Sequence, residues 1–151
     1  MKKIFLQNNL AFSLPPKYVK QLKTLTAGIV KTEEKSLSPK LPSNIEIGIT
    51  FVDNTQIKKL NAKYRKKNTP TDVIAFRIDA EASKKLNKKV ALGDIYISVE
   101  RASEQIIKGE TLALELAHLL IHGVLHVLGY DHGTKMSRKE KYYFKKFSSN
   151  Y

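Results

Sequence analysis

The stretch from Leu112 to Leu128 constrains this chain most, because it is apolar around most of a helical circumference and still carries three histidines. A helix of that kind belongs in the centre of a fold rather than against solvent. Glu115, His118, His122, Gly123 and His126 interrupt the apolar run that a bilayer would require, so no membrane span is expected. His122 and His126 stand four apart, which places them on one helix face with beta carbons roughly 5–6 Å apart. Two imidazole nitrogens at that spacing can meet one ion. Gly129 can take the positive φ that ends a helix, and the chain can then send His132 back toward the other two rings. Three neutral imidazoles leave a divalent ion its full charge and a fourth position for water, as in catalytic rather than structural zinc sites. His122, His126 and His132 are therefore the expected metal ligands, with one Zn2+ per chain the expected cofactor.

All four histidines of the chain fall between positions 118 and 132. His118 lies one turn earlier on the same face, and it is expected to pack or to support a ligand rather than to bind the ion. The pattern H-x-x-x-H-x-x-G-x-x-H also has the spacing of a metzincin peptidase, in which Glu follows the first histidine as general base. That position here is Gly123. A peptidase loses its base, and the metal site survives.

A chain of 151 residues is expected to form one domain over 1–151, large enough to build a core without disulfides. The absence of cysteine excludes thiolate zinc sites, iron-sulfur ligation and a cysteine nucleophile, and it fits a reducing interior. The N-terminal residues turn polar before the apolar core of a signal sequence develops, so none is expected. Lys and Arg outnumber Asp and Glu by 27 to 14, giving a formal charge of +13. Such a charge favours polyanions, with RNA and DNA foremost, through binding that weakens as salt rises. A lysine-heavy surface can also reflect proteome composition, so charge names a class of partner and not a reaction.

Residues 2 to 7 form a candidate strand, and Pro15-Pro16 delays a helix from about Lys17 to Val30 with Val19, Leu22, Leu25 and Ile29 on one stripe. Thr32 to Asn44 is polar, contains Pro39 and Pro42, and reads as a loop. Ile45, Ile47, Ile49 and Phe51 alternate as in a strand. Asp53 and Gln56 then form a possible capping box, with Ile57, Leu60 and Tyr64 as the buried face of the following helix. Its other side carries Lys58, Lys59 and Lys63, followed by Arg65, Lys66 and Lys67. Thr71 to Ile78 reads as a strand, residues 79 to 91 as an exposed connection, and Leu92 to Val99 as a further strand ending near a helix cap at Ser98. A helix from about Val99 to Ile107 precedes the long one, set at about Glu110 to Leu128. Ser137 and Glu140 match a second capping box, for a final helix pinned by Tyr143, Phe144 and Phe147. These runs predict an α+β single domain, a small mixed sheet of about four strands packed with about five helices around the buried histidine-bearing helix. They do not determine strand order.

With these residues in view, the sequence closely resembles the YbeY family of bacterial rRNA maturation endoribonucleases. The segment His122-Gly123-Val124-Leu125-His126-Val127-Leu128-Gly129-Tyr130-Asp131-His132 matches the family motif throughout. The match continues through Leu60 to Lys67, Pro70 to Phe76 and Gly93 to Ser98, and it spans most of the chain from about 45 to 132. The resemblance implies that His122, His126 and His132 bind the metal and that Arg65 is the arginine associated with activity. It further implies a cytoplasmic protein acting on single-stranded RNA, in maturation of the 16S rRNA 3′ end and in quality control of the small ribosomal subunit. Asn68, Ala75 and Arg77 stand where the family often has Asp, Ser and Pro, departures that bear on loop shape or substrate fit rather than on the ion.

The mechanism expected from this site is attack of a metal-activated water on an RNA phosphodiester, with Arg65 donating paired hydrogen bonds to the phosphate as charge develops. Lysines of the 58 to 67 segment would hold the RNA backbone without reading bases. Two roles are open to Asp131, orienting a ligand or accepting a proton on one hand and capping the turn on the other. Asp72 and Asp94 are expected to organise loops rather than touch a ligand ring. The competing functions are a non-catalytic, metal-stabilised rRNA-binding assembly factor and a metal-dependent hydrolase of another substrate.

Overall fold

The structure is a computed structural model that describes residues 3–11, 13–37, 41, 44–78 and 90–150. The elements in chain order are β1 (Lys3–Asn8), α1 (Pro16–Glu33), β2 (Ile45–Val52), α2 (Asn54–Arg65), β3 (Val73–Arg77), β4 (Val90–Ser98), α3 (Val99–Glu104), α4 (Leu112–Val127) and α5 (Thr134–Ser148). This is the expected α+β domain with a mixed four-stranded sheet, whose order is β1-β2-β4-β3. Parallel neighbours need a crossover rather than a tight turn. Helix α1 lies between β1 and β2, and β2 and β4 also run parallel. β3 alone runs antiparallel, at the edge beside β4, pairing Val73 with Ile97 and Arg77 with Gly93.

The pleat sends alternate side chains to opposite faces. Ile47, Ile49, Phe51, Ile95 and Ile97 are buried in the main core with Leu116, Leu120, Ile121, Val124 and Leu125 of α4. Each large aliphatic side chain withdrawn from water in this way contributes about 1.5–3 kcal/mol. Helix α4 touches β3, β4, α1, α3 and α5, so the histidine-bearing helix occupies the centre its composition demands. On the other face of the sheet, α2 covers a smaller cluster of Val52, Ile57 and Ile74, with Leu60, Phe76 and Tyr96 against it. No helix among the described residues is long and apolar enough to cross a membrane.

Several boundaries differ from the sequence reading for identifiable reasons. Helix α1 runs on through Glu33, because that polar side chain turns inward to buried partners. Thr111 caps α4 by accepting from the Leu114 amide, so the helix starts at Leu112 rather than Glu110. Helix α3 stops at Glu104, short of the Ile107 expected. β4 begins at Val90, inside the segment read as a connection, the rest of which, residues 79–89, lies outside the described residues together with Met1, Lys2 and parts of the 32–44 loop. The Asp53–Gln56 capping box and the Ser98 cap form as expected.

Candidate metal centre

The C-terminal half of α4 supplies two histidines, and the turn after it supplies the third. His126 Nε2 lies 3.1 Å from His122 Nε2. The His132 ring centroid is 5.2 Å from that of His122 and 4.6 Å from that of His126. One nitrogen from each ring lies within 4.8 Å of the others. Tetrahedral zinc with bonds of about 2.0–2.1 Å sets its ligand nitrogens about 3.3 Å apart. The helix pair is already near that spacing, and His132 is exposed and able to rotate toward it. Among the described residues this is the one group of three or more candidate ligands, and it holds no carboxylate. The donor set suits a divalent ion of zinc's preference.

Two glycines make the arrangement possible. Gly129 has φ +103°, and the reversal begun there carries the chain to His132. Gly123 occupies the place of the peptidase base, but a beta carbon there would stand 2.8 Å from Cγ2 of Ile95. That side of α4 is pressed against β4, so a side chain at position 123 would meet the sheet and not the ion.

Helix α5 braces the centre from outside. It begins at Thr134 after Gly133, so Ser137 and Glu140 lie within the helix and the predicted capping box does not form. Glu140 instead takes a hydrogen bond at 2.6 Å from Nδ1 of His122, which leaves Nε2 facing the cluster. A carboxylate behind a ligating imidazole fixes its tautomer and raises its basicity. His126 is held below the usual histidine range, first by burial and then by the neighbouring His122 and His132 rings, while a hydrogen bond to the Tyr130 backbone opposes the shift. A neutral ring is the form a metal requires.

Tyr130 ties the turn to two helices. Its hydroxyl donates to Glu33 Oε1 at 2.5 Å, the Tyr143 hydroxyl donates to the other oxygen, and Lys139 Nζ lies 2.8 Å from Oε1. Burial opposes ionisation of Glu33, but the three donors outweigh it and hold its carboxyl below the usual range. Lys139 also lies 5.1 Å above the Tyr130 ring.

The histidines open into a cleft of about 470 Å³ whose walls include Tyr64, Arg65, Arg77 and Asp131. Arg65 closes α2 and lines the cleft. Asn61 holds the chain that follows by donating to the Thr69 carbonyl at 2.8 Å. Tyr64, expected in the core, is 55 % exposed. It stands at the end of α2, where its ring meets Phe76 edge-on at 5.0 Å and faces the cleft. Asp131 is exposed on the cleft wall, and among the described residues no capping hydrogen bond from its carboxylate is formed. His118 stays outside the cluster, against Phe144 and 3.9 Å from Glu115. Asp72 accepts from the Val73 amide at the start of β3. Asp94 lies on the sheet face away from α4, in a depression with Gly48, Thr50 and Tyr96, and burial raises its pKa. Neither aspartate reaches a ligand ring.

The family model described as Endoribonuclease YbeY matches residues 14–148. The chain belongs to the YbeY family. A family member named Endoribonuclease YbeY from Geobacillus kaustophilus is 37% identical over 129 residues, which cover 78% of this chain and 83% of that one. Another of that name, from Bacillus mycoides, is 38% identical over 125 residues, 79% of each chain. A solution structure from Thermotoga maritima aligns with 97% of this chain and 90% of its own at 27% identity and a TM-score of 0.61. Of the three departures from the YbeY pattern, Ala75 and Arg77 line the cleft and none is a ligand candidate. Glu140, Glu33 and Tyr64 were not singled out for the site by sequence, and Arg77 only as a departure bearing on loop shape or substrate fit, since their approach to it depends on tertiary contacts.

Proposed function

We propose that this chain is a single-strand-specific metallo-endoribonuclease that acts in the cytoplasm on the 16S rRNA 3′ end and in quality control of the small ribosomal subunit. The observation that carries the reading is the convergence of three imidazoles on the floor of an open cleft flanked by Arg65, in a member of the YbeY family. His122, His126 and His132 would hold one zinc ion, which when bound supplies Lewis acidity toward phosphate and an activated water at neutral pH.

The chain's own groups account for the rest. Glu140 orients His122, and Tyr130 steadies both His126 and the turn leading to His132. Arg65 can form two parallel hydrogen bonds with a phosphate and favour the charge that develops there. The exposed Lys58, Lys59, Lys63, Lys66 and Lys67 around α2 offer sequence-independent contacts to the RNA backbone. The exposed Tyr64 ring gives an unstacked base a platform.

The test is cleavage of single- and double-stranded RNA by zinc-loaded wild type, His126→Ala and Arg65→Ala. The reading expects single strands to be cut, His126→Ala to be inactive, and Arg65→Ala to lose about 100-fold or more in kcat. RNA binding without cleavage by wild type would favour a non-catalytic assembly factor. Unchanged activity in both variants would place the reaction elsewhere.

A further inference from the structure

Arg77 ends the edge strand β3 opposite Gly93, and its side chain returns across the turn that follows α4. A beta carbon at Gly129 would stand 3.0, 3.0 and 3.1 Å from Cζ, Nη1 and Nη2 of Arg77. Three nearly equal distances mean that the guanidinium plane lies face-on against the glycine. A planar group stacked by its face keeps its N–H edges for other partners. Among the described residues, no carboxylate lies at ion-pair distance from Arg77, although Asp131 shares the cleft. The guanidinium thus stands on the cleft wall against Gly129, three positions before His132, with no ion-pair partner among the described residues, while Arg65 enters from α2. Neutral imidazoles cannot neutralise an anion, so among the described residues lining the cleft these two arginines are the fixed positive charges.

We propose that Arg77 is a second phosphate-binding residue, which holds an RNA backbone phosphate beside the one presented to the histidines. The inference rests on the RNA reading above and adds a contact to it. Arg77 would set the path of the strand past the His132 turn, and Gly129 would serve both as the hinge of that turn and as the flat surface on which the guanidinium lies. As a contact made equally in the ground and transition states, it acts on KM far more than on kcat.

The test compares wild type, Arg77→Ala and Arg77→Lys, all zinc-loaded, for binding of a short labelled single-stranded RNA across a salt series and for cleavage kinetics. Arg77→Ala is expected to bind about tenfold more weakly and to lower the slope of log affinity against log salt by roughly 0.7–1. It should raise KM with kcat nearly constant, while zinc content and melting temperature stay at wild-type values. Arg77→Lys should restore the salt slope but not the full affinity, because an ammonium lacks the paired fork. Unchanged affinity and slope in Arg77→Ala would overturn the proposal. Loss of zinc or of melting temperature in that variant would also overturn it, by making Arg77 a support of the turn. Wild type that binds RNA through Arg77 without cutting it would sink the nuclease reading and leave this phosphate site standing. Cleavage with Arg77→Ala kinetics unchanged would do the reverse.

Discussion

At His122 the two ring nitrogens have separate duties. Nδ1 is committed to Glu140 at 2.6 Å, and Nε2 faces His126 at 3.1 Å. Removing the carboxylate frees the ring to rotate and lowers its basicity, so Glu140→Ala is expected to weaken zinc binding about 10–100-fold. Competition against a calibrated chelator measures this, and an affinity equal to wild type would contradict the role given to Glu140. The residue also shows where local reasoning stops. Glu140 follows Ser137 at capping-box spacing, but α5 starts earlier, at Thr134, and the carboxylate is spent on a histidine 18 positions back. Tyr64 teaches the same lesson. Its spacing from Ile57 and Leu60 places it toward the sheet, but spacing does not reveal that cover runs out at the last turn of α2.

Among the elements, α1 and α5 clamp the turn between them through one carboxylate. The apolar period of α1 ends at Val30, and Thr32 and Glu33 therefore read as the start of a loop. The partners that make Glu33 helical and buried, Tyr130 and Tyr143, are 97 and 110 residues away. Hydrogen bonds lower the folded-state pKa of Glu33 from the ordinary 4.5. A depressed carboxyl contributes stability that is complete above the unfolded value and disappears as pH falls through the folded one. Glu33→Gln should therefore destabilise the protein by about 1–3 kcal/mol near neutral pH, with the gap to wild type closing below about pH 4. Urea midpoints at the two pH values read this directly, and a gap independent of pH would show that the charge of Glu33 is not what holds the network.

For the whole molecule, the parts legible in the sequence were those whose cause is local. The four-residue spacing of His122 and His126, the helix-ending Gly129 and the Asp53 cap each depend on neighbours in the chain, and each appears in the fold as read. The apolar circumference of α4 also announced its central place. The order β1-β2-β4-β3 was not legible, since it depends on which edges meet after the crossovers. Nor could the cleft be foreseen, because β3, α2 and the His132 turn contribute to it from separate parts of the chain. The central claim is that three rings from a helix and its terminal turn share one ion. Elemental analysis of protein exposed to zinc and then freed of excess, for wild type and His122→Ala, His126→Ala and His132→Ala, tests it most directly. The account predicts one equivalent in wild type and its loss in every folded variant. A full equivalent retained in all three variants, or none in folded wild type, would contradict it.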